Sequence, residues 1–214
     1  MKIKLLMAIT TILACFSIAT QAEDKKLPGN FSPVAAGIYR GEYLNAEEDY
    51  AGLARLGVKT VVNLRAIHHD DKELCRKYGL KCYDGGIFLN IPGNDKIFPW
   101  EKMAEIYQFV LKERATGRPV YFHCRYGKDR TGTLAAIIMT RVRACNQPFS
   151  KPELWTELNA KLDAHGFHND SYPHLKQEVK DLVYSFETHR SWICDGKPFP
   201  SGYQFPENKD SAGK

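Results

Sequence analysis

The chain has 214 residues, a formal net charge of +5 and 43% hydrophobic residues. That length favours one domain with a proper core. A charge this mild argues against nucleic acid or a membrane surface as a partner, so any attraction for anions must be local.

Residues 1–22 stand apart from the fold. Lys2 and Lys4 precede an apolar stretch from Leu5 to Ala19, and Thr20-Gln21-Ala22 offers a small-residue cleavage site. The pattern is that of a secretory signal peptide. The apolar run is shorter than the roughly 20 residues needed to cross a bilayer, so no integral membrane span is expected. Ile12-Leu13-Ala14-Cys15 matches a lipoprotein processing site only weakly, because the apolar run continues past Cys15. The chain is expected to be exported, to the periplasm or beyond. The leader holds two lysines and no acids, so the remaining 192 residues (214 − 22) carry +3 (5 − 2).

Helical and strand periodicities then alternate. Ile38-Tyr39-Arg40 is a short strand, Asn45 is placed to cap a helix from about Ala46 to Leu56, and Gly57 stops it. Lys59 to Leu64 is a buried strand, Asp70 to Tyr78 a helix ended by Gly79, and Lys81 to Tyr83 and Gly86 to Asn90 are further short strands. Met103, Ile106, Tyr107, Val110 and Leu111 share one face of an amphipathic helix. It leads into an apolar strand ending at His123, and Thr131 to Arg143 form a helix that is apolar on almost every side. Two more helices follow, one through Leu154, Trp155, Leu158 and Leu162, the other through Leu175, Val179, Leu182, Val183 and Phe186. The pattern predicts an α/β fold, a largely parallel sheet flanked by helices with its ligand at the C-terminal ends of the strands. One domain is expected over 23–190. The stretch 191–214, rich in Pro, Gly and charge, is expected as a loose tail or an arm laid over the domain.

Export implies an oxidising compartment. Beyond the leader stand Cys75, Cys82, Cys124, Cys145 and Cys194. If Cys124 stays free, the other four allow two disulfides in three pairings, and buried free thiols are the alternative. Cys75 and Cys82 straddle a helix-to-strand turn and can pair, which leaves Cys145 for Cys194.

The chemistry concentrates in Val120-Tyr121-Phe122-His123-Cys124-Arg125-Tyr126-Gly127-Lys128-Asp129-Arg130-Thr131-Gly132. A cysteine sits where a strand turns into a helix. The five residues between Cys124 and Arg130 suffice to wrap a tetrahedral anion with backbone N–H groups and a helix N-terminus pointing inward. The same donors stabilise a thiolate, which makes Cys124 the expected nucleophile. Arg130 offers a planar fork matching two phosphoryl oxygens and the charge that builds on them. Gly127 lets the loop bend, Thr131 can give its hydroxyl to the sulfur, and His123 braces the loop. Gly127-Lys128 is followed by Asp129, so this is not a nucleotide P-loop.

His-Cys-x5-Arg-Thr-Gly resembles the signature of the protein tyrosine phosphatase superfamily, in its dual-specificity branch. Rhodanese-type sulfur transferases also use a cysteine loop, usually a shorter one. The likeness extends to Phe31, Gly37-Ile38-Tyr39-Arg40 and Leu56 to Arg65, which resemble the first half of exported bacterial dual-specificity-like phosphatases. It covers roughly residues 31–187. The resemblance implies a strand–phosphate loop–helix active site and a phosphocysteine intermediate, with no metal or other cofactor. Arg65 closes a strand beside which such enzymes place their site, so it either attracts anions or forms a structural ion pair.

The resemblance also implies an aspartate on a loop ahead of the nucleophile, to protonate the departing oxygen. Asp95, in Ile91-Pro92-Gly93-Asn94-Asp95-Lys96, is the candidate, and Asp84 is the reserve. A carboxyl near a bound phosphate tends to keep its proton, as a general acid must. The Trp-Pro-Asp triplet of the tyrosine-specific enzymes is absent.

Arg125 and Lys128 add two positive charges that a singly phosphorylated substrate would not require, and resemble the basic pairs of phosphoinositide phosphatases. With Tyr126 and Asp129 they complete the expected binding loop. Inositol polyphosphates or phosphoinositides are therefore the first expectation, and phosphotyrosine or dual-specificity protein substrates the alternative. His68-His69-Asp70-Asp71 and His165-x-x-His168 contain metal-ligand types without companions at fixed spacing and are read as surface residues. Two non-enzymatic readings remain: a phosphate-binding module without turnover, and an exported scaffold.

Overall fold

The computed structural model describes residues 26–89, 98–168 and 172–205, so the expected leader and the loop carrying Asp95 lie outside the described residues. Five strands form one sheet in the order β1-β2-β5-β3-β4. β1 (Ser32–Ala35) pairs antiparallel with β2 (Ile38–Gly41). The rest is parallel: β2 with β5 (Val120–His123), β5 with β3 (Thr60–Arg65), and β3 with β4 (Lys81–Ile87).

Buried parallel strands are apolar on both faces, and β5 divides its side chains between two cores. Val120 and Phe122 join the larger one with α3 (Trp100–Ala115), α4 (Asp129–Ala144), α5 (Lys151–Ala164), α6 (Pro173–Tyr184) and α7 (Phe186–Cys194). Tyr121 faces the smaller one with α1 (Glu47–Arg55) and the end of α2 (Lys72–Lys77). Met103, Ile106, Tyr107 and Val110 of α3 are all fully buried, as their spacing predicts.

Several boundaries differ from those read in the sequence. The edge strand β1 was not expected, because Pro33 weakens strand propensity; an edge position tolerates a proline that donates nothing. Asn45 does not cap α1. Asp49 reaches back instead and accepts from the backbone N–H of Asn45 (2.8 Å) and Ala46 (3.0 Å). The two short strands expected around Gly85 are one strand, β4, which passes Gly86 at φ +71° with a shift of register against β3 and ends at Ile87. The last expected helix is two, since Ser185 closes α6 by donating its hydroxyl to the Asp181 carbonyl (2.5 Å) and α7 starts afresh at Phe186.

Residues 191–205 belong to the same core as the rest. α7 runs on to Cys194, which is bonded to Cys145, and Phe199 and Phe205 are buried against Trp192 and Trp100. It is an arm laid over the domain, as far as residue 205. Cys75 is bonded to Cys82, and Cys124 is free and buried.

At the end of the sheet away from the strand C-termini, Glu113 of α3 clamps three strand entrances. It accepts from Thr60 (2.7 Å), Lys81 (2.9 Å) and Arg118 (2.7 and 3.0 Å). Arg118 above all, with Lys81 and Thr60, holds its carboxyl down at about 2 against the cost of burial.

Candidate active site

The C-terminal ends of β2, β3, β4 and β5 bring Gly41, Arg65, Ile87 and His123 to one edge of the sheet. Cys124 follows β5 directly and is 3% exposed, and α4 begins five residues later at Asp129. The expected strand–loop–helix arrangement is present. The helix opens with a bond from the Gly132 N–H to the Lys128 carbonyl (2.5 Å). Gly132 lies flush against Phe167, whose ring carbon would stand 2.5 Å from an added Cβ, so a larger residue would push α4 off its neighbour.

Two buried polar groups brace the strand below Cys124. The His123 Nε2 lies 3.1 Å from the Asp70 carboxylate, and both side chains are shielded from solvent. Asn63 donates to the His68 carbonyl (2.8 Å) and accepts from the Arg65 N–H (2.9 Å), which fixes the segment that delivers Asp70. His123 is thus a brace.

The loop itself is held from outside. Asn30, at φ +52°, turns its amide Nδ2 to the carbonyls of Tyr126 (3.1 Å), Gly127 (3.3 Å) and His165 (3.0 Å), while its Oδ1 accepts from His165 Nδ1 (2.7 Å). Arg40 of β2, 2% exposed, donates Nη2 to the Gly127 carbonyl. Burial pushes the Arg40 guanidinium down to about 10, and the charge of Cys124 opposes that shift. In the sequence Arg40 reads only as a strand residue, and Asn30 carries no site signal. A charged residue inside a buried strand was the available signal for the first; a lone Asn before a strand gives none.

Arg130 donates Nη1 to the Ile87 carbonyl (2.9 Å) at the end of β4, which lays its guanidinium across the mouth of the loop. Among the described residues its Nε, the Nε of Arg40 and the Thr131 hydroxyl are buried without a hydrogen-bond partner. The expected bond from Thr131 to the sulfur is therefore not made. Buried donors without acceptors are costly and uncommon, and two of these belong to the first residues of the helix that follows Cys124. An oxyanion in the loop would give the Arg130 guanidinium an acceptor.

Beside the loop opens a cleft of about 380 Å³, lined by Arg65, Ile67, Ile87, Phe88, Arg125 and Arg130 among others. Among the described residues none of the three arginines has an ion pair with a carboxylate. Burial holds Arg65 below the ordinary guanidinium range; Asp70 offsets this in part, while Arg130 and Arg125 add repulsion. Arg125 and Lys128, grouped together in the sequence reading, part company. Arg125 lines the cleft, whereas the Lys128 stem crosses Gly166 and its ammonium lies 5.9 Å from the Tyr126 ring centre. Tyr126 is itself 51% exposed, and Arg125 stands 5.0 Å over its ring.

Asp129 opens α4, and its carbonyl accepts from Thr133 (2.9 Å). Asp84 is bound to His69 (2.8 Å) and does not line the cleft. Asp95 lies outside the described residues. Of the histidines read as surface residues, His165 bonds Asn30, His168 bonds Asp163 (3.2 Å) and His69 bonds Asp84, while His68 lines the cleft; Asp70 of the same run departs from that reading, because it is buried against His123.

This arrangement has counterparts. A family model described as "Tc-R-P: Polymorphic toxin system, DSP-PTPase phosphatase" matches residues 36–144. Inositol diphosphatase DSP2 of Oryza sativa subsp. japonica is 28% identical over 123 residues, 55% of this chain and 57% of that protein. Inositol diphosphatase DSP4 of Arabidopsis thaliana is 29% identical over 126 residues, 55% of this chain and 59% of that protein. The chain thus spans little more than half the length of these relatives. Among solved structures, the catalytic core of the PP-IP phosphatase SIW14 from S. cerevisiae is similar with a TM-score of 0.53 and 22% identity, over 78% of this chain and 96% of that one. P. aeruginosa TpbA has a TM-score of 0.53 and 23% identity, over 76% and 91%. At these identities the structures establish the shared fold.

Proposed function

From the premise that the chain belongs to the DSP-PTPase phosphatase family, within the protein tyrosine phosphatase superfamily, we propose that it is a cysteine-dependent phosphomonoester hydrolase. The observation that carries this is a free, buried Cys124 at the strand-to-helix turn, followed at the start of α4 by Arg130 and Thr131, whose buried donors have no partner among the described residues. The Cys124 sulfur attacks phosphorus, the bond to the leaving oxygen breaks, and an acid gives that oxygen a proton. Asp95 is our candidate for the acid. Water then attacks the phosphocysteine, the sulfur leaves as thiolate, and inorganic phosphate is released. Arg130 matches the charge spread over the non-bridging oxygens in both steps.

For the substrate we favour inositol polyphosphates or phosphoinositides. Three arginines without carboxylate partners among the described residues, sharing one cleft with the loop, supply charge for more than one phosphate. The relatives named inositol diphosphatases support this choice and put pyrophosphorylated inositols in the panel to be tried. A second reading, phosphotyrosine in proteins, is favoured by Ile67 and Phe88, 72% and 51% exposed on the same cleft, which suit an aromatic ring. Export is proposed as well, on the leader and on two disulfides that suit an oxidising compartment.

Turnover of an aryl phosphate, abolished by Cys124→Ser, with phosphorus found on Cys124 in the trapped wild type, tests the enzyme against a binding module. A panel of inositol phosphates and a phosphotyrosine peptide tests the substrate. Peptide hydrolysed far faster than every inositol phosphate would overturn the first choice.

A further inference from the structure

A phosphate cradle works only if its amides face inward, and nothing in a five-residue loop enforces that by itself. In a trans peptide the C=O and the following N–H point in opposite directions. A carbonyl fixed on the outside of the loop therefore fixes the next N–H on the inside. The carbonyl of Tyr126 is held by Asn30 (3.1 Å), and that of Gly127 by both Asn30 (3.3 Å) and Arg40. We propose that Asn30 and Arg40 are positioning residues for the phosphate loop: by holding two carbonyls outward they aim the amides of Gly127 and Lys128 at the bound phosphoryl group. This rests on the phosphatase reading of the loop.

The two residues come from parts of the chain remote from the loop in sequence, and each is itself fixed. Asn30 is oriented from both ends by His165 at the close of α5, since Nδ2 donates to its carbonyl (3.0 Å) and Oδ1 accepts from its Nδ1 (2.7 Å). Three carbonyls and one acceptor pair leave its amide a single orientation. Arg40 is rooted in β2, which pairs with the nucleophile strand at Arg40–Phe122. Buried at 2% exposure, its guanidinium is also coupled electrostatically to Cys124. Asn30 therefore acts on the aim of the amides alone, and Arg40 on the amides and on the sulfur.

The experiment uses the full chain carrying Asn30→Ala, Arg40→Met or Arg40→Lys, with folding checked by thermal melting. Asn30→Ala is expected to lower kcat on an aryl phosphate and to weaken inhibition by inorganic vanadate in parallel, each by roughly tenfold or more, since a misaimed oxyanion donor costs up to the 10²–10³ of a deleted one. KM should change less. Arg40→Met should do the same and in addition slow alkylation of Cys124 by iodoacetamide at neutral pH; Arg40→Lys should restore part of that rate. A merely structural loss would loosen the loop and speed alkylation. Folded variants with wild-type kcat, vanadate inhibition and alkylation would overturn the proposal. Should Arg40→Met not fold, Arg40→Lys and Asn30→Ala decide in the same assays. A wild-type chain that neither turns over nor binds vanadate would instead overturn the phosphatase reading.

Discussion

The backbone of Gly127 lies directly on that of Gly41: a Cβ on Gly127 would stand 2.7 Å from both the carbonyl carbon and the carbonyl oxygen of Gly41. Gly127 also has φ +65°, where an L side chain is disfavoured by about 1–2 kcal/mol. Because the obstructing atoms are backbone, they cannot swing away. Gly127→Ala is expected to cost the loop its shape, with kcat on an aryl phosphate falling 100-fold or more and Tm dropping by several degrees. Steady-state kinetics and calorimetry check both.

Removing the brace beneath Cys124 should be felt in stability. Asp70→Ala leaves the wholly buried His123 imidazole without its carboxylate, a loss of about 1–3 kcal/mol. Asp70→Asn, which keeps a hydrogen-bonding oxygen, should lose less. Urea unfolding orders the three proteins; equal midpoints would refute the bracing role.

Glu113 gives the chain an acid limb. Its folded value of about 2 lies below the ordinary 4.5, so the folded state binds protons less readily than the unfolded one. The stability it contributes is complete above about pH 4.5 and is lost as pH falls towards 2. Its partners Lys81 and Arg118 are about half exposed, so the contribution is discounted to roughly 2 kcal/mol. Glu113→Gln should flatten that part of the stability–pH curve and destabilise the protein at neutral pH.

Glu178 acts in the other direction. Burial raises it to about 7, against the bond it accepts from the Trp100 indole (2.6 Å), with Asp181 adding repulsion. The folded state now binds the proton more tightly, so stability declines as pH rises from about 4.5 to 7, by at most about 3 kcal/mol. Glu178→Gln should remove this decline and leave the protein more stable above pH 7. Trp100 fluorescence should titrate near neutrality in the wild type and not in the variant.

The Cys145–Cys194 bridge closes 49 residues of separation and pins the arm to α4. Chain-entropy reasoning gives it about 4 kcal/mol, against about 2.5 for the short Cys75–Cys82 loop. Cys145→Ser should therefore lower Tm more than Cys75→Ser, and make cleavage between residues 195 and 205 faster in limited proteolysis.

The sequence alone determined the sheet's parallel strands, the amphipathic α3 and the cysteine loop between strand and helix, because each is a local pattern: an apolar run, a 3.6-residue period, a cysteine and an arginine with five residues between them. Cys124, Arg130 and Gly127 were legible for that reason. Asn30, Arg40 and Asp70 were not, since their roles consist of bonds to residues 53 to 97 positions away that no periodicity encodes. Only the tertiary structure separated Arg125 from Lys128, by sending one side chain into the cleft and laying the other across Gly166. Local pattern sets what a segment can become; which backbone group a distant side chain will hold is settled only when the strands have been brought side by side.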